Sequence, residues 1–369
     1  MSTRIIFIGM SFYIHNFIGH QFKVQPKTIY YANYFGNGSL GDVTISTSQT
    51  FTSSVDGNPV IREYNTLTLN ASATMSINNR CKGMVIYVRG NCTINGMIDM
   101  SGKGAVAGAS TSSFPEIYVR KNTGSVLLSP HSQTLTSDNI LIPSENNNQA
   151  SYVGNVTTFN VPRAGAAGAA QPSIQTAGVN GVNGVNGQCG GGGGGSSGRY
   201  SYPGTIGGSG SCYGGGAGGG GAGGNHSAVI PSQYSGIGGT GIGQAAGDNN
   251  GGGGAGNPPG PTAFTAPGTG VGGVIYIIVG GNLNIGASAK IQSTGSVGGG
   301  CSIDDGSRGG AGGGSGGGSI TLIYGGTYAN SGTITANGGL GGTNGYFGAG
   351  GTGGNGSIRT AKALTGSFF

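Results

Sequence analysis

The first regular pattern along the chain has period two. Asp42-Val43-Thr44-Ile45-Ser46 alternates polar and apolar residues, and over residues 65–77 Leu67, Leu69, Ala71, Ala73, Met75 and Ile77 fall on one face. Successive side chains of a strand point to opposite faces, so this spacing predicts strands with one face buried. The pattern then changes. Gly83-Met84-Val85-Ile86-Tyr87-Val88-Arg89-Gly90 is a continuous apolar run closed by glycines, which reads as a strand buried on both faces.

That run opens an internal repeat. Val85–Val88 is followed by Gly90-Asn91-Cys92-Thr93-Ile94-Asn95-Gly96-Met97-Ile98-Asp99-Met100-Ser101-Gly102. A second copy runs Val274–Val279, Gly281–Gly286 and Ile291–Gly295, and a third runs Ile320–Gly326 and Ser331–Gly338. Each copy predicts a buried strand with Tyr near its end, a glycine turn, a shorter alternating strand and a glycine-rich exit. A unit this short cannot bury its own apolar face, so the copies must stack or pair in one sheet system. The expectation is an all-β protein with essentially no α-helix, its base a β-solenoid or a β-sandwich. Turns after each short strand favour stacked rungs. The inserts between copies are very unequal, so the β units form a base from which glycine-rich excursions leave and return.

The flanks are less regular. Residues 114–120, 125–128 and 139–142 each read as a strand, punctuated by Pro115, Pro130, Pro143 and Pro162. Residues 1–40 are dense in aromatics, from Phe7, Phe12 and Tyr13 to Tyr34 and Phe35. That density suits packing against a partner or a second copy, and equally a lid over a local core. Ile5–Ile18 is apolar and follows Arg4. His15 and Asn16 interrupt it and no small-residue cleavage site precedes Lys23, so it reads as an attachment strand or helix rather than a signal peptide. Four regions result: residues 1–40 for attachment, 41–162 as a β-rich domain with the first repeat, 163–270 as a glycine-rich region with aromatic loops, and 271–369 with the other two repeats.

Glycine changes the picture. Of 87 glycines, 73 lie after Pro162. Residues 178–187 repeat Gly-Val-Asn strictly, and no proline-bearing Gly-X-Y register exists to suggest collagen. A polyproline-II-type helix turns in three residues and makes no internal hydrogen bonds. Glycine along one edge lets neighbouring backbones approach and satisfy one another laterally. The glycine-rich runs are therefore expected to pack as a polyglycine-II bundle, with a flexible spacer as the alternative. The interruptions then become loops, and they carry Arg199, Tyr200, Tyr202, Tyr213, Tyr234, Phe264, Tyr346 and Phe347. Tyrosine offers contact area, a polar tip and little rotamer entropy, and loops on a rigid scaffold commonly bind. These eight are the receptor-binding candidates; the other reading has them plugging the bundle ends.

Charge and chemistry narrow the function classes. Charged residues are 7% of the chain, beside 16 Tyr and 12 Phe, which excludes charge-driven disorder. A net charge of +6 is too thinly spread for a nucleic-acid footprint. Cys81, Cys92, Cys189, Cys212 and Cys301 have neither zinc spacing nor an even count, so buried free thiols are expected, with a Cys81–Cys92 pair as the alternative. The four histidines lack metal-site spacing, and no cofactor or metal is expected. Only Asp99 lies in a repeat strand, whereas glycoside cleavage needs two facing carboxylates. The GxGxxG matches arise from composition. No run of residues is apolar enough to span a bilayer. A non-enzymatic protein is expected.

Glycine-rich runs alternating with aromatic loops resemble the tail-fibre tip adhesins of T-even-like bacteriophages. Tyr34-Phe35-Gly36-Asn37-Gly38-Ser39-Leu40-Gly41-Asp42 and residues 94–104 are likewise similar to glycine-rich phage tail and virion proteins. The resemblance implies stacked polyglycine-II helices whose loops bind a host outer-membrane receptor. It implies a place in the virion tail, with the N-terminal segment contacting other tail proteins and a homo-oligomer such as a trimer. The alternative is a structural virion or extracellular filament subunit without receptor binding.

Overall fold

The computed structural model describes residues 3–7, 10–14, 35–105, 119–120, 126–127, 141–143, 150–152, 179–186, 189–196, 207, 214–215, 218, 270–300, 310–343 and 348–362. Among these residues every regular element is a strand, and no helix is long and apolar enough to cross a membrane.

The N-terminal apolar run forms an antiparallel hairpin of β1 (Thr3–Phe7) and β2 (Met10–Ile14). The main body then begins with β3 (Asp42–Ile45), β4 (Gln49–Phe51) and β5 (Val60–Tyr64). It continues with β6 (Thr66–Leu69), β7 (Thr74–Ile77), β8 (Met84–Val88), β9 (Cys92–Ile94) and β10 (Met97–Asp99). Two small antiparallel pairs follow. One is β11 (Val119–Arg120) with β12 (Val126–Leu127), and the other is β13 (Leu141–Pro143) with β14 (Ala150–Tyr152). The body resumes with β15 (Val274–Val279), β16 (Leu283–Ile285), β17 (Lys290–Gln292) and β18 (Ser319–Tyr324). It closes with β19 (Tyr328–Asn330), β20 (Thr333–Thr335) and β21 (Ser357–Lys362).

Fifteen of these strands make three five-stranded sheets, and all their pairings are parallel. The first sheet has the order β3-β6-β9-β16-β19, the second β4-β7-β10-β17-β20, and the third β5-β8-β15-β18-β21. The chain thus visits the three sheets in turn, one strand in each, and repeats the circuit five times. The three repeat copies are three of these circuits. Their buried strands β8, β15 and β18 are neighbours in the third sheet, with Val88, Val279 and Tyr324 in one register column.

Two further circuits were not visible as repeats. The alternation over residues 65–77 reads as one strand but is two, β6 and β7, broken at the exposed Ala71 and Ser72. Alternation survives the corner because Leu69 and Ala73 both point inward on either side of it. The apolar run over 84–88 is buried at every position, as is β15, as its lack of alternation requires. Inward residues of all three sheets form one core, including Leu67, Met75, Ile86, Ile98, Ile277 and Leu322.

Corners are held by polar side chains stacked from circuit to circuit. Asn91 Oδ1 accepts the N–H of Asn282 (2.9 Å), and Asn282 Oδ1 accepts that of Thr327 (2.9 Å). Each asparagine satisfies a backbone donor that the sheet leaves unpaired where the chain turns. The corner between the second and third sheets differs along the stack. In the first two circuits it is short, and Arg80 pairs through Nε and Nη2 with Asp56 (2.8 and 2.9 Å). In the last three circuits it opens into residues 100–273, 293–318 and 336–356, which hold the glycine-rich sequence.

Candidate functional site at the junction of the glycine-rich segments

The described parts of the three excursions lie against one another and bond at every third residue. Gly190, Gly193 and Ser196 donate N–H to Gly317, Gly314 and Ala311, all at 2.9 Å. Gly314 and Gly317 donate in turn to Gly351 and Gly354, and those two donate to Gly194 and Gly191. The intervening glycines leave no room for a side chain. A Cβ on Gly193 would overlap the carbonyl of Gly351, and one on Gly313 that of Gly193. Residues 189–196 and 310–318 are buried along their whole length.

The Gly-Val-Asn triplets divide the work by position. Gly181 and Gly184 face inward, where a Cβ would overlap the carbonyls of Gly194 and Gly191. Asn180, Asn183 and Asn186 accept, through Oδ1, the N–H groups of Ala349 (2.8 Å), Thr352 (2.9 Å) and Asn355 (2.8 Å). Val179, Val182 and Val185 face solvent. The strict period in the sequence is the period of these bonds.

Among the described residues, every buried polar side chain in the glycine-rich packing is a serine, and its hydroxyl ties two or more segments together. Ser315 Oγ donates to Gly270 O (2.8 Å) and accepts the N–H of Ser296 (2.7 Å). Ser196 Oγ donates to Gly348 O (2.9 Å) and accepts the N–H of Ala311 (2.7 Å). Ser196 is where residues 197–206 begin, Gly310 and Ala311 are where 301–309 end, and Gly348 is where 344–347 end. One hydroxyl therefore joins the described ends of interruptions from all three excursions. Their only sequence signal is a serine at the end of, or inside, a glycine run.

All eight receptor-binding candidates, Arg199, Tyr200, Tyr202, Tyr213, Tyr234, Phe264, Tyr346 and Phe347, lie outside the described residues. Their described neighbours nonetheless differ in position. Arg199, Tyr200 and Tyr202 follow Ser196, and Tyr346 and Phe347 precede Gly348, both at the hydroxyl junction. Tyr213 precedes Gly214, which lies beside Gly104 and Gly272 at the sheet end of the packing. No family model, curated protein or solved structure matches the chain.

The remaining chemistry is structural in its partners. Cys81, Cys92 and Cys189 are buried and in no disulfide, so Cys81 and Cys92 do not pair. Burial pushes the Cys92 thiol up to about 12 and raises that of Cys81. Asp42 is held below the ordinary carboxylate value by the hydrogen bonds of Thr66 and Asn65 (2.7 Å each). Asp99 accepts the N–H of Ser101 (2.8 Å), and its register neighbours are Ser76 and Gln292, not a second carboxylate. Among the described residues no group of His, Cys, Asp and Glu is arranged to hold a metal ion.

Proposed function

We propose that this chain is a non-enzymatic recognition protein of a bacteriophage tail fibre or tail tip. Its three-sheet body is a β-solenoid, and its excursions pack as a polyglycine-II bundle that presents loops to a host-surface receptor. Three observations support the architecture: the five circuits through three sheets, the lateral bonds at every third residue, and the solid glycine interior. A threefold backbone helix has no internal hydrogen bonds, so lateral bonds of that period are what it needs to be ordered.

The observation that carries the functional reading is the Ser196 junction. It gathers the ends of segments bearing Arg199, Tyr200, Tyr202, Tyr346 and Phe347 at one place, roughly 19 Å from the sheet end at a rise of about 3.1 Å per residue. A platform already ordered lowers the entropy cost of binding, and a cluster of Tyr, Phe and Arg is the composition of strong contact sites. The receptor is a protein or polysaccharide of the host surface.

Replacing Tyr200 and Tyr202 together with Ala is expected to abolish adsorption to host cells while particles assemble normally. Normal adsorption by those particles would overturn the reading and leave a structural virion or filament subunit.

A further inference from the structure

Segment 348–356 distributes its N–H groups with period three. Gly350, Gly353 and Gly356 donate to Gly342, Gly339 and Ala336, and Gly351 and Gly354 donate to Gly194 and Gly191. The remaining donor of each turn, on Ala349, Thr352 and Asn355, meets no backbone carbonyl among the described residues. It meets the carboxamide of Asn180, Asn183 or Asn186 instead. Asn355 does the same for segment 336–343, its Oδ1 accepting the N–H of Gly338 (3.0 Å). The enclosed segments 189–196 and 310–318 contain no asparagine. Segment 179–186 bonds, among the described residues, only to 189–196 and 348–356, and it exposes Val and Asn in every triplet. Asparagine therefore marks the rim of the packing.

We propose that these carboxamides close the rim against a second copy of this chain. Each Oδ1 stands where the carbonyl of one more glycine-rich segment would accept the same N–H, so the lateral bonding stops there. Water would satisfy an exposed backbone donor equally well, and holding a side chain still costs rotamer entropy. A tethered amide does what water does not: it stays in place against a competing carbonyl from another molecule. Sheet edges face the same hazard, since a row of unpaired N–H and C=O groups recruits further chains. The rim carries acceptors for such an addition, because among the described residues the carbonyls of Gly181, Gly184 and Gly350 accept no hydrogen bond. Val179, Val182 and Val185, exposed on the same segment, add bulk where glycine would let a backbone approach.

The row of caps has one gap. Segments 336–343 and 348–356 run antiparallel, Gly350 donating to Gly342 and Gly353 to Gly339. With Asn355 set against Gly338, the residue set against Gly341 is Thr352. A threonine hydroxyl is too short to reach across, and the Gly341 N–H meets no acceptor among the described residues. The cap thus belongs to the asparagine side chain and not to the backbone path. The closed rim rests on the lateral bonds alone and is independent of receptor recognition.

Sedimentation velocity of the full chain tests it, with Asn180, Asn183 and Asn186 replaced together by Gly. The variant is expected to self-associate about tenfold more strongly than the wild type, since three freed donors at roughly one net hydrogen bond each allow that much. Adding Thr352→Arg puts bulk and charge on the same face and is expected to restore wild-type behaviour. A triple variant that still melts cooperatively yet keeps the wild-type mass at every concentration would overturn the proposal. Association that Thr352→Arg leaves unchanged would do so as well. Thr352→Asn alone gives a test that removes no cap. It fills the gap, so exchange of the Gly341 amide, followed by NMR, should slow about fivefold, the worth of about one hydrogen bond. An unchanged exchange rate would mean that asparagine at the rim does not cap its neighbour, and the proposal would fall.

Discussion

Cys92 faces the core from β9, between Leu67 and Leu283 in the register of the first sheet. Its thiol is raised from 9.0 to about 12 because burial penalises the thiolate. The native state therefore holds this proton more tightly than the unfolded chain does. The associated stability is fully present below about pH 9 and is lost as pH rises toward about 12. Denaturant titrations at pH 8, 9.5 and 11 are expected to show stability falling across this window, with a shallower fall in Cys92→Val. A thiol reagent at pH 8 should leave Cys92 unmodified until the protein unfolds. The sequence made this residue legible as a buried free thiol, since cysteine without a partner spacing defaults to a core position. Ser196 was not legible in the same way. A serine after six glycines looks like more low complexity, and only its three backbone partners distinguish it.

At the scale of the element, the glycine segments and the strands follow different rules. Gly193 is enclosed by backbone on several sides, with a Cβ meeting Gly351 and Thr352 carbonyls that no rotamer change can move aside. Gly193→Ala should cost about 1–3 kcal/mol, as overpacking does. Val182→Ala, in the exposed outer segment, should stay within about 0.5 kcal/mol. Chemical unfolding of both variants checks the contrast, and equal costs would mean that residues 189–196 are not packed. The middle strands of the third sheet were legible because Met84–Val88 and Val274–Val279 are unbroken apolar runs and Ser319–Tyr324 departs from one only at Ser319 and Thr321. The short strands were harder. Three residues such as Cys92–Ile94 and Met97–Asp99 carry one alternation each, and the turn between them looked like part of one strand. The first circuit escaped notice as a repeat because polar Gln49 and Arg62 occupy inward columns that are apolar in the next circuits.

The molecule as a whole is graded from its middle to its ends. β8 and β15 are buried throughout, whereas β3 keeps only Ile45 buried and β19 keeps none of its residues buried. Opening free energies follow burial, so amide exchange is expected to be slowest in β8, β15 and β18 and fastest in β3, β4, β19 and β20. Exchange measured by mass spectrometry checks this, and uniform protection would mean that the stack opens only as a unit.

The last three circuits launch their excursions from one corner, each a single strand spacing beyond the one before, about 4.8 Å. Helices bearing side chains need 8–10 Å between axes. Segments leaving side by side at half that pitch can stay parallel only if they are almost bare backbone. The pitch of the sheet thus acts as a filter on composition. Wherever one excursion must run beside the next, the ladder of strands behind it admits glycine, tolerates an occasional serine, and leaves larger residues only the outer surface and the turns.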